Sequence, residues 1–158
     1  MTEKKDPAFG SGLERSHEVA WRSFITVHAL VIERIERELA EAGFPPLGWY
    51  DVLLELSVAP DRRLRMHELA RAVILSRSGL TRLVDRLEEA GFLRREPDPA
   101  DRRGSFAVLT DEGAEMRKRM WPVYARGIAE HFGKHLDDEE ARVLTGALKR
   151  VLDAARGA

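Results

Sequence analysis

Apolar residues recur every three or four positions through the first quarter of the chain, and charged residues fill the positions between them. The recurring residues are Phe24, Val27, Val31, Ile35 and Leu39. This spacing predicts one amphipathic helix over residues 13–42, which Gly43 ends. A second, shorter helix is predicted over residues 47–58, because Pro45 and Pro46 stand where a helix starts.

The middle of the chain has the pattern of a strand followed by two closely spaced helices. Residues 63–65 predict a short strand, and residues 66–73 predict a short helix that ends in a tight turn. Ser76 is a suitable N-cap for the next helix, which is predicted to run to about Ala90 and to end at Gly91. Two short helices joined by a tight turn form a helix-turn-helix.

The helix that begins at Ser76 has two different faces. Leu80, Leu83, Val84 and Leu87 lie at helical spacing, so this stripe is expected to face a core. The opposite face carries Ser76, Arg77, Ser78, Thr81, Arg82, Asp85 and Arg86. A helix that enters the major groove of DNA needs small residues at its leading end, hydroxyls for phosphates and long cations further along. The pattern therefore favours DNA recognition, in which Asp85 would repel phosphate unless it is paired, for example with Arg82 or Arg86.

Two strands are predicted after this helix, over residues 92–96 and 105–109. A polar loop rich in turn-forming residues is predicted to join them over residues 97–104. Arg102 and Arg103 would lie near the tip of this hairpin. Such a hairpin is the wing of a winged helix, and a narrow minor groove attracts arginine side chains of this kind.

The last third of the chain returns to a helical pattern. Thr110 is a predicted N-cap, with Asp111 and Glu112 in the first turn, and Pro122 is expected to kink or divide the helix that follows. Residues 137–140 have the spacing of a capping box, which predicts the start of a final helix. The apolar stripe of that helix is Val143, Leu144, Leu148, Val151 and Leu152.

The charge of the chain is nearly balanced but unevenly placed. The 158 residues carry 26 Lys and Arg against 27 Asp and Glu, a formal net charge of −1. Residues 62–103 hold 11 arginines, 7 acids and no lysine. Arginine presents a planar fork that fits phosphate oxygens and guanine edges, so a local DNA-binding surface is favoured over a solvated charged face.

The composition excludes several kinds of chemistry. The chain has no cysteine, which excludes a disulfide framework, thiolate catalysis, cysteine-ligated zinc and a thiol redox switch. Residues 1–12 are predicted to be a flexible tail and lack the apolar core of a signal peptide. No apolar run approaches the roughly 20 residues of a membrane span. A cytoplasmic location without membrane contact is expected.

Several ordered motifs resemble the MarR family of bacterial transcription regulators. The stretch from Leu75 to Leu87, LSRSGLTRLVDRL, with Gly91-Phe-Leu-Arg-Arg95, is similar to the family's recognition helix and first wing strand. Asp101-x-Arg103 and Leu109-Thr110-x-x-Gly113 are similar to its wing signature. The resemblance extends from about Trp21 to Leu152. It implies a mainly α fold with a small β-hairpin wing: a winged helix-turn-helix plus N- and C-terminal dimerisation helices.

The resemblance also implies a homodimer that binds double-stranded DNA, most often as a repressor. Residues 13–44 and 110–158 would form the helical dimerisation region, and residues 45–109 the DNA-binding domain. The apolar stripes of the terminal segments are too extensive for one winged-helix core, which independently favours a second copy. The resemblance assigns DNA contact to Ser76, Arg77, Ser78, Thr81, Arg82, Arg86, Arg102 and Arg103, with Asp101 orienting a neighbouring arginine.

A small aromatic or phenolic effector is a further implication of the resemblance. The candidate residues for an effector cleft are Trp21, Phe24, His28, Trp49 and Tyr50. Aromatic residues at such spacing also serve as ordinary core packing, and His28 lies beside an apolar stripe, as a core or interface histidine does.

Other functions find less support in the sequence. His67-Glu68-Leu69-Ala70-Arg71 ends in arginine where a zinc protease motif needs histidine. His131 and His135 would share a helix face if the helix continued, so a metal-responsive sensor stays an alternative, as does a winged helix that binds proteins. No nucleophile-base pair or phosphate loop points to an enzyme. Neither a cofactor nor a bound metal is expected.

Overall fold

The computed structural model describes residues 12–73 and 77–157, and of Arg77 and Ser78 it describes only the backbone. Six α-helices and three β-strands lie within these ranges. The helices are α1 Arg15–Glu41, α2 Leu47–Val58, α3 Met66–Ala72, α4 Arg77–Glu89, α5 Asp111–His131 and α6 Asp138–Arg156. The strands are β1 Arg63–Arg65, β2 Leu93–Asp98 and β3 Asp101–Leu109. Most predicted elements are therefore confirmed, and α2 has both of its predicted ends.

The three strands form one antiparallel sheet with β3 in the centre. The predicted loop over residues 97–104 is wrong, because β2 and β3 continue through it and leave only the two-residue turn Pro99–Ala100. A two-stranded ribbon exposes both of its faces beyond the core. Polar side chains are then compatible with strand pairing, although their density resembles that of a loop.

Two apolar cores hold the helices and the sheet together. The first lies inside the winged helix and includes Leu53, Leu69, Val84, Leu87, Leu93 and Leu109. The second joins the C-terminal half of α1 to α2 and α5, and includes Ile35, Leu39, Tyr50 and Met120. Since α2 contributes to both cores, it links the winged helix to the long terminal helices.

Helix α5 begins at a well-formed N-cap and passes through a proline. The Thr110 hydroxyl accepts a hydrogen bond from the Gly113 amide at 3.0 Å, as predicted for a cap. Pro122 does not divide the helix, which is continuous from Asp111 to His131. The proline is exposed, so water can solvate the carbonyl of Lys118 that loses its helical donor. The predicted capping box at Asp137 and Glu140 is confirmed at the start of α6.

Candidate nucleic-acid interface

Helix α4 separates an apolar stripe from a polar face. Leu80, Val84 and Leu87 are buried in the first core, and they hold the helix against the sheet and α2. Thr81, Arg82, Asp85 and Arg86 are exposed on the other side. Ser76, predicted to cap this helix and to contact DNA, lies outside the described residues, as do the side chains of Arg77 and Ser78. The described part of α4 thus presents a hydroxyl and two guanidinium groups outward.

The wing places its arginines at the start of β3, beside the turn. Asp101, Arg102 and Arg103 are all exposed there. Asp101 Oδ1 accepts a hydrogen bond from the backbone amide of Arg103 at 3.0 Å. The contact seen for Asp101 is therefore with the backbone of the wing arginine, whereas the sequence suggested that it orients an arginine side chain.

A cleft of about 310 Å³ lies between the start of α3, helix α4 and the wing. Its walls include Thr81 of α4 together with Asp101 and Arg103 of β3. Met66 and His67 of α3 close its third side. The fold thus brings predicted site residues from two separate elements to one concave surface.

Nine of the eleven arginines of residues 62–103 divide into two groups. Five of them form ion pairs within the fold: Arg62 with Asp111, Arg63 with Glu96, Arg65 with Asp98, Arg94 with Glu96, and Arg95 with both Asp85 and Glu88. By contrast, Arg71, Arg86, Arg102 and Arg103 have no ion pair with a carboxylate of the described chain. A count of charges cannot separate these groups, because the pairing depends on how the sheet brings distant residues together.

Asp85 illustrates this non-local pairing. It was expected to pair with Arg82 or Arg86 on its own helix, and that expectation is wrong. Its carboxylate lies 2.6 Å from Arg95 Nη2 on β2, and the Nη1 of the same guanidinium lies 2.9 Å from Glu88. The negative charge on the outward face of α4 is thus compensated by the strand behind it.

Comparison with known proteins identifies the family to which this fold belongs. The MarR family profile matches residues 42–104, which span α2, α3, α4 and most of the wing. The HTH-type transcriptional regulator YkoM of Bacillus subtilis is 31% identical over 124 residues, which cover 78% of this chain and 79% of YkoM. This chain belongs to the MarR family. The family consists of DNA-binding transcriptional regulators, so the winged helix is a DNA-binding fold here.

Two solved MarR-family structures show how far the likeness extends. AbsC, a MarR family transcriptional regulator from Streptomyces coelicolor, is 34% identical, with a TM-score of 0.83 and coverage of 94% of this chain and 100% of AbsC. Sco3205 from the same organism, solved in complex with DNA, is also 34% identical, with a TM-score of 0.83. The match covers 92% of this chain and 91% of Sco3205. The relatives are regulators and not enzymes, which fits the absence of an enzymatic motif in the sequence.

The five candidate effector residues of this MarR-family chain fall in three places. On α1, the Trp21 and Phe24 rings lie 6.2 Å apart, and the Phe24 and His28 rings lie 6.5 Å apart. Trp49 packs edge-on against Phe92 near the first core. Tyr50 is buried in the second core and packs against Trp121 and Tyr124. Trp49 and Tyr50 thus pack within the fold, whereas the three α1 residues are exposed.

The two C-terminal histidines of this MarR-family chain do not share a helix face. Helix α5 ends at His131, and His135 lies in a separate 3₁₀ turn at Gly133–His135. His131 Nε2 lies 2.6 Å from a carboxylate oxygen of Glu38 on α1. Within the described ranges, no group of three or more histidine, aspartate or glutamate side chains is arranged to hold a metal ion. No helix in these ranges is long and apolar enough to span a bilayer.

Proposed function

We propose that this chain is a homodimeric repressor that binds a pseudo-palindromic operator, with residues 45–109 as its DNA-binding domain. The observation that carries the proposal is the set of exposed guanidinium groups on α4 and on the wing. Arg86 extends from α4, and Arg102 and Arg103 extend from the start of the last wing strand. From these positions a helix can enter the major groove while the wing reaches the adjacent minor groove.

We assign the remaining predicted DNA contacts to the same surface. Thr81 and Arg82 lie on the exposed face of α4, where they can reach base edges or phosphates. Ser76, Arg77 and Ser78 belong to the leading end of this helix by sequence alone. Hydroxyl and amide groups at a helix N-terminus suit phosphate oxygens.

The proposal of a homodimer is supported by apolar faces that the single chain leaves uncovered. Helix α6 has no buried residue, although it carries the exposed apolar side chains Val143, Leu148, Val151 and Leu152. On α1, Val19, Val27 and Leu30 are further exposed apolar side chains. Apolar surface of this extent marks an interaction site, and a second copy covers it by two-fold symmetry. Residues 13–44 and 110–158 would then form the dimerisation region.

Two-fold symmetry sets the form of the operator. Two α4 helices related by a dyad read the same sequence on opposite strands, so the operator is a pseudo-palindrome. Its half-sites would lie about 10 bp apart, one turn of the double helix. A substitution of one DNA-contacting residue consequently removes two contacts with DNA, one from each protomer.

A small aromatic or phenolic effector would bind at the exposed Trp21, Phe24 and His28 side chains of α1. These rings form a continuous ridge on the helix proposed for dimerisation, where a planar ligand can stack. A ligand that binds one spacing of the two α4 helices more tightly shifts the population away from the DNA-binding form. In the proposed mechanism, the effector therefore changes the population of the DNA-binding form and does not block the DNA-binding surface.

The experiment begins by enriching a duplex from a random-sequence library with the wild-type protein. Fluorescence anisotropy then gives the affinity for this duplex over a range of salt concentrations. Each phosphate that the protein no longer neutralises lowers the salt slope by about 0.9, so Arg86→Ala is expected to reduce it by about 1.8 in a dimer if Arg86 binds phosphate. If Arg86 instead reads a base, the affinity falls and base preference at one position relaxes.

Arg62→Ala is the matched control. Arg62 belongs to the same arginine-rich block, but its Nη1 pairs with Asp111 at 3.0 Å. This variant is expected to keep the wild-type affinity and salt slope. The proposal fails if the library yields no enriched sequence, or if the Arg86 variant and wild type bind the enriched duplex equally.

A further inference from the structure

Asp98 is the one charged residue that is buried within the described part of the chain. It ends β2, immediately before the two-residue turn of the wing. Its Oδ2 accepts a hydrogen bond from Arg65 Nε at 2.6 Å, and its Oδ1 accepts one from the Ala100 amide at 2.9 Å. The hydrogen bond from Arg65, followed by that from Ala100, lowers the pKa of Asp98 below its usual value. An ionised carboxylate therefore joins β1 to the wing turn.

Arg65, the partner of Asp98, is itself held by two other elements. Its backbone amide donates to Glu68 Oε2 at 2.9 Å, a contact that belongs to the capping box at the start of α3. Its guanidinium carbon lies 5.2 Å from the centre of the Phe106 ring, and Phe106 is its register partner on β3. Arg65 thus has a defined position relative to both the helix-turn-helix and the sheet.

The contacts continue from Asp98 towards the wing arginines. Asp101 is the register partner of Asp98 across the turn. The Asp101 carboxylate accepts a hydrogen bond from the backbone amide of Arg103. Gly104 leaves room for this carboxylate, because a Cβ at that position would lie 3.0 Å from Asp101 Oδ2. A chain of hydrogen bonds and strand pairing therefore connects the first turn of α3 to the backbone of Arg103.

The wing needs such a chain because most of its length lacks a third strand. Strand β1 pairs only with residues 106–108 of β3, so the ribbon beyond Phe106 has two strands. A two-stranded ribbon is marginally stable in water, and its angle to the rest of the domain is poorly fixed by pairing alone. The Arg65–Asp98 contact supplies a fixed point close to the free end of the ribbon.

We propose that Arg65 is a positioning residue for DNA recognition, which holds the wing through Asp98 so that Arg103 reaches the minor groove beside the half-site read by α4. This inference rests on the proposed function. Although Arg65 also lines the cleft, its proposed role is exerted through Asp98 and the turn. Removal of the Arg65–Asp98 contact should therefore impair the wing's recognition of DNA and spare the contacts of α4.

The test separates wing contacts from helix contacts on the duplex enriched by the wild-type protein. Base pairs outside the half-sites are changed from A·T to G·C, or to inosine·C, which lacks the guanine amino group in the minor groove. For wild type, G·C flanks are expected to weaken binding about tenfold, while inosine·C flanks retain it. Arg103→Ala is expected to reduce this flank preference to less than about twofold.

Arg65→Gln and Asp98→Asn are expected to match Arg103→Ala in flank preference. Each variant should keep the wild-type penalty for a base change inside the half-site. The double variant should be no worse than either single variant, because the two residues act as one contact. Arg63→Gln is the matched control, since Arg63 lies over the same Phe106 ring at 4.8 Å but pairs with Glu96. It should keep the full flank preference.

Three results would overturn the inference. The first is a wild-type flank preference in either Arg65→Gln or Asp98→Asn. The second is a loss of the half-site penalty together with the flank preference, which would indicate general damage to the domain. The third is a wild-type protein that binds its enriched duplex without any flank preference. Each of these leaves the proposed function intact, whereas failure to enrich a duplex removes both.

Discussion

Gly113, the last residue of the Leu-Thr-x-x-Gly motif, has a steric role that substitution by alanine can test. A Cβ at this position would lie 2.0 Å from the Phe92 carbonyl oxygen and 2.9 Å from Leu109 Cδ1. The first turn of α5 is also tied to this junction by Thr110, whose hydroxyl donates to the Gly91 carbonyl at 2.7 Å. Glycine here permits close contact between α5 and the segment that enters β2.

The expected cost of Gly113→Ala follows from this geometry. Ordinary contact requires about 3.4 Å, so the Phe92 carbonyl and the first turn of α5 must separate by roughly 1.4 Å. Overpacking costs about 1–3 kcal/mol, and displacement of the Thr110 cap adds about 1 kcal/mol. The free energy of unfolding should fall by about 2–4 kcal/mol, which lowers Tm by about 4–16 °C in a chain of this size.

Thermal unfolding followed by circular dichroism measures this change, at one fixed protomer concentration because a dimer's Tm depends on concentration. Gly48→Ala is the matched control. Gly48 also lies in the first turn of a helix, but a Cβ there meets only Leu83 Cδ2 at 3.9 Å. It should leave Tm unchanged or raise it slightly. A Gly113→Ala protein with the Tm of wild type would refute the steric reasoning.

Three further predictions concern dimerisation, acid stability and the effector. Val151→Glu would bury a carboxylate at the proposed dimer interface and should raise the dimer dissociation constant at least about 100-fold, as measured by analytical ultracentrifugation. Val58→Glu, at the end of α2, is the control and should leave this constant unchanged. An unchanged mass for Val151→Glu would contradict the proposed interface. The pKa of Asp98 is lowered in the fold, so its contribution to stability is present above about pH 4 and is lost as the pH falls through the folded pKa. Melting curves of Asp98→Asn should therefore depend less on pH below 4 than those of wild type, and equal dependence would oppose this assignment. Hydroxybenzoates should quench the fluorescence of Trp21. The Trp21→Phe variant should lose this quenching, and Trp49→Phe should retain it. Quenching that persists in Trp21→Phe and is lost in Trp49→Phe would place the effector elsewhere.

The sequence predicts the helices well because their signals are local. Pro46 and the turn after Val58 define α2, and the capping box at Asp137 defines the start of α6. The length of the wing was underestimated because residues 97–104 pair through their backbones while their side chains resemble those of a loop. Backbone pairing of this kind depends on a partner strand and leaves little trace in local composition.

The candidate site shows the same division between local and non-local information. The outward face of α4 follows from helical spacing, which correctly separates Thr81 and Arg86 from Leu80 and Leu87. The pairing of Asp85 with Arg95 does not follow from spacing, because it depends on the packing of β2 beside α4. The sequence also grouped Trp49 with Trp21, although the fold uses Trp49 in packing against Phe92.

The division of the arginines explains how a chain with a net charge of −1 can bind DNA. Ion pairs such as Arg95 with Asp85 neutralise cations that hold the sheet against α4, so these groups contribute little to the field outside the protein. In the proposed function, the remaining attraction comes from a few exposed groups, including Arg86 and Arg103, on α4 and on the wing. With little uniform positive charge, we expect non-specific binding to be weak and affinity to depend on both places contacting DNA together. In the proposed mechanism, an effector that changes the spacing of the two α4 helices would then prevent both places from contacting DNA together and release the operator.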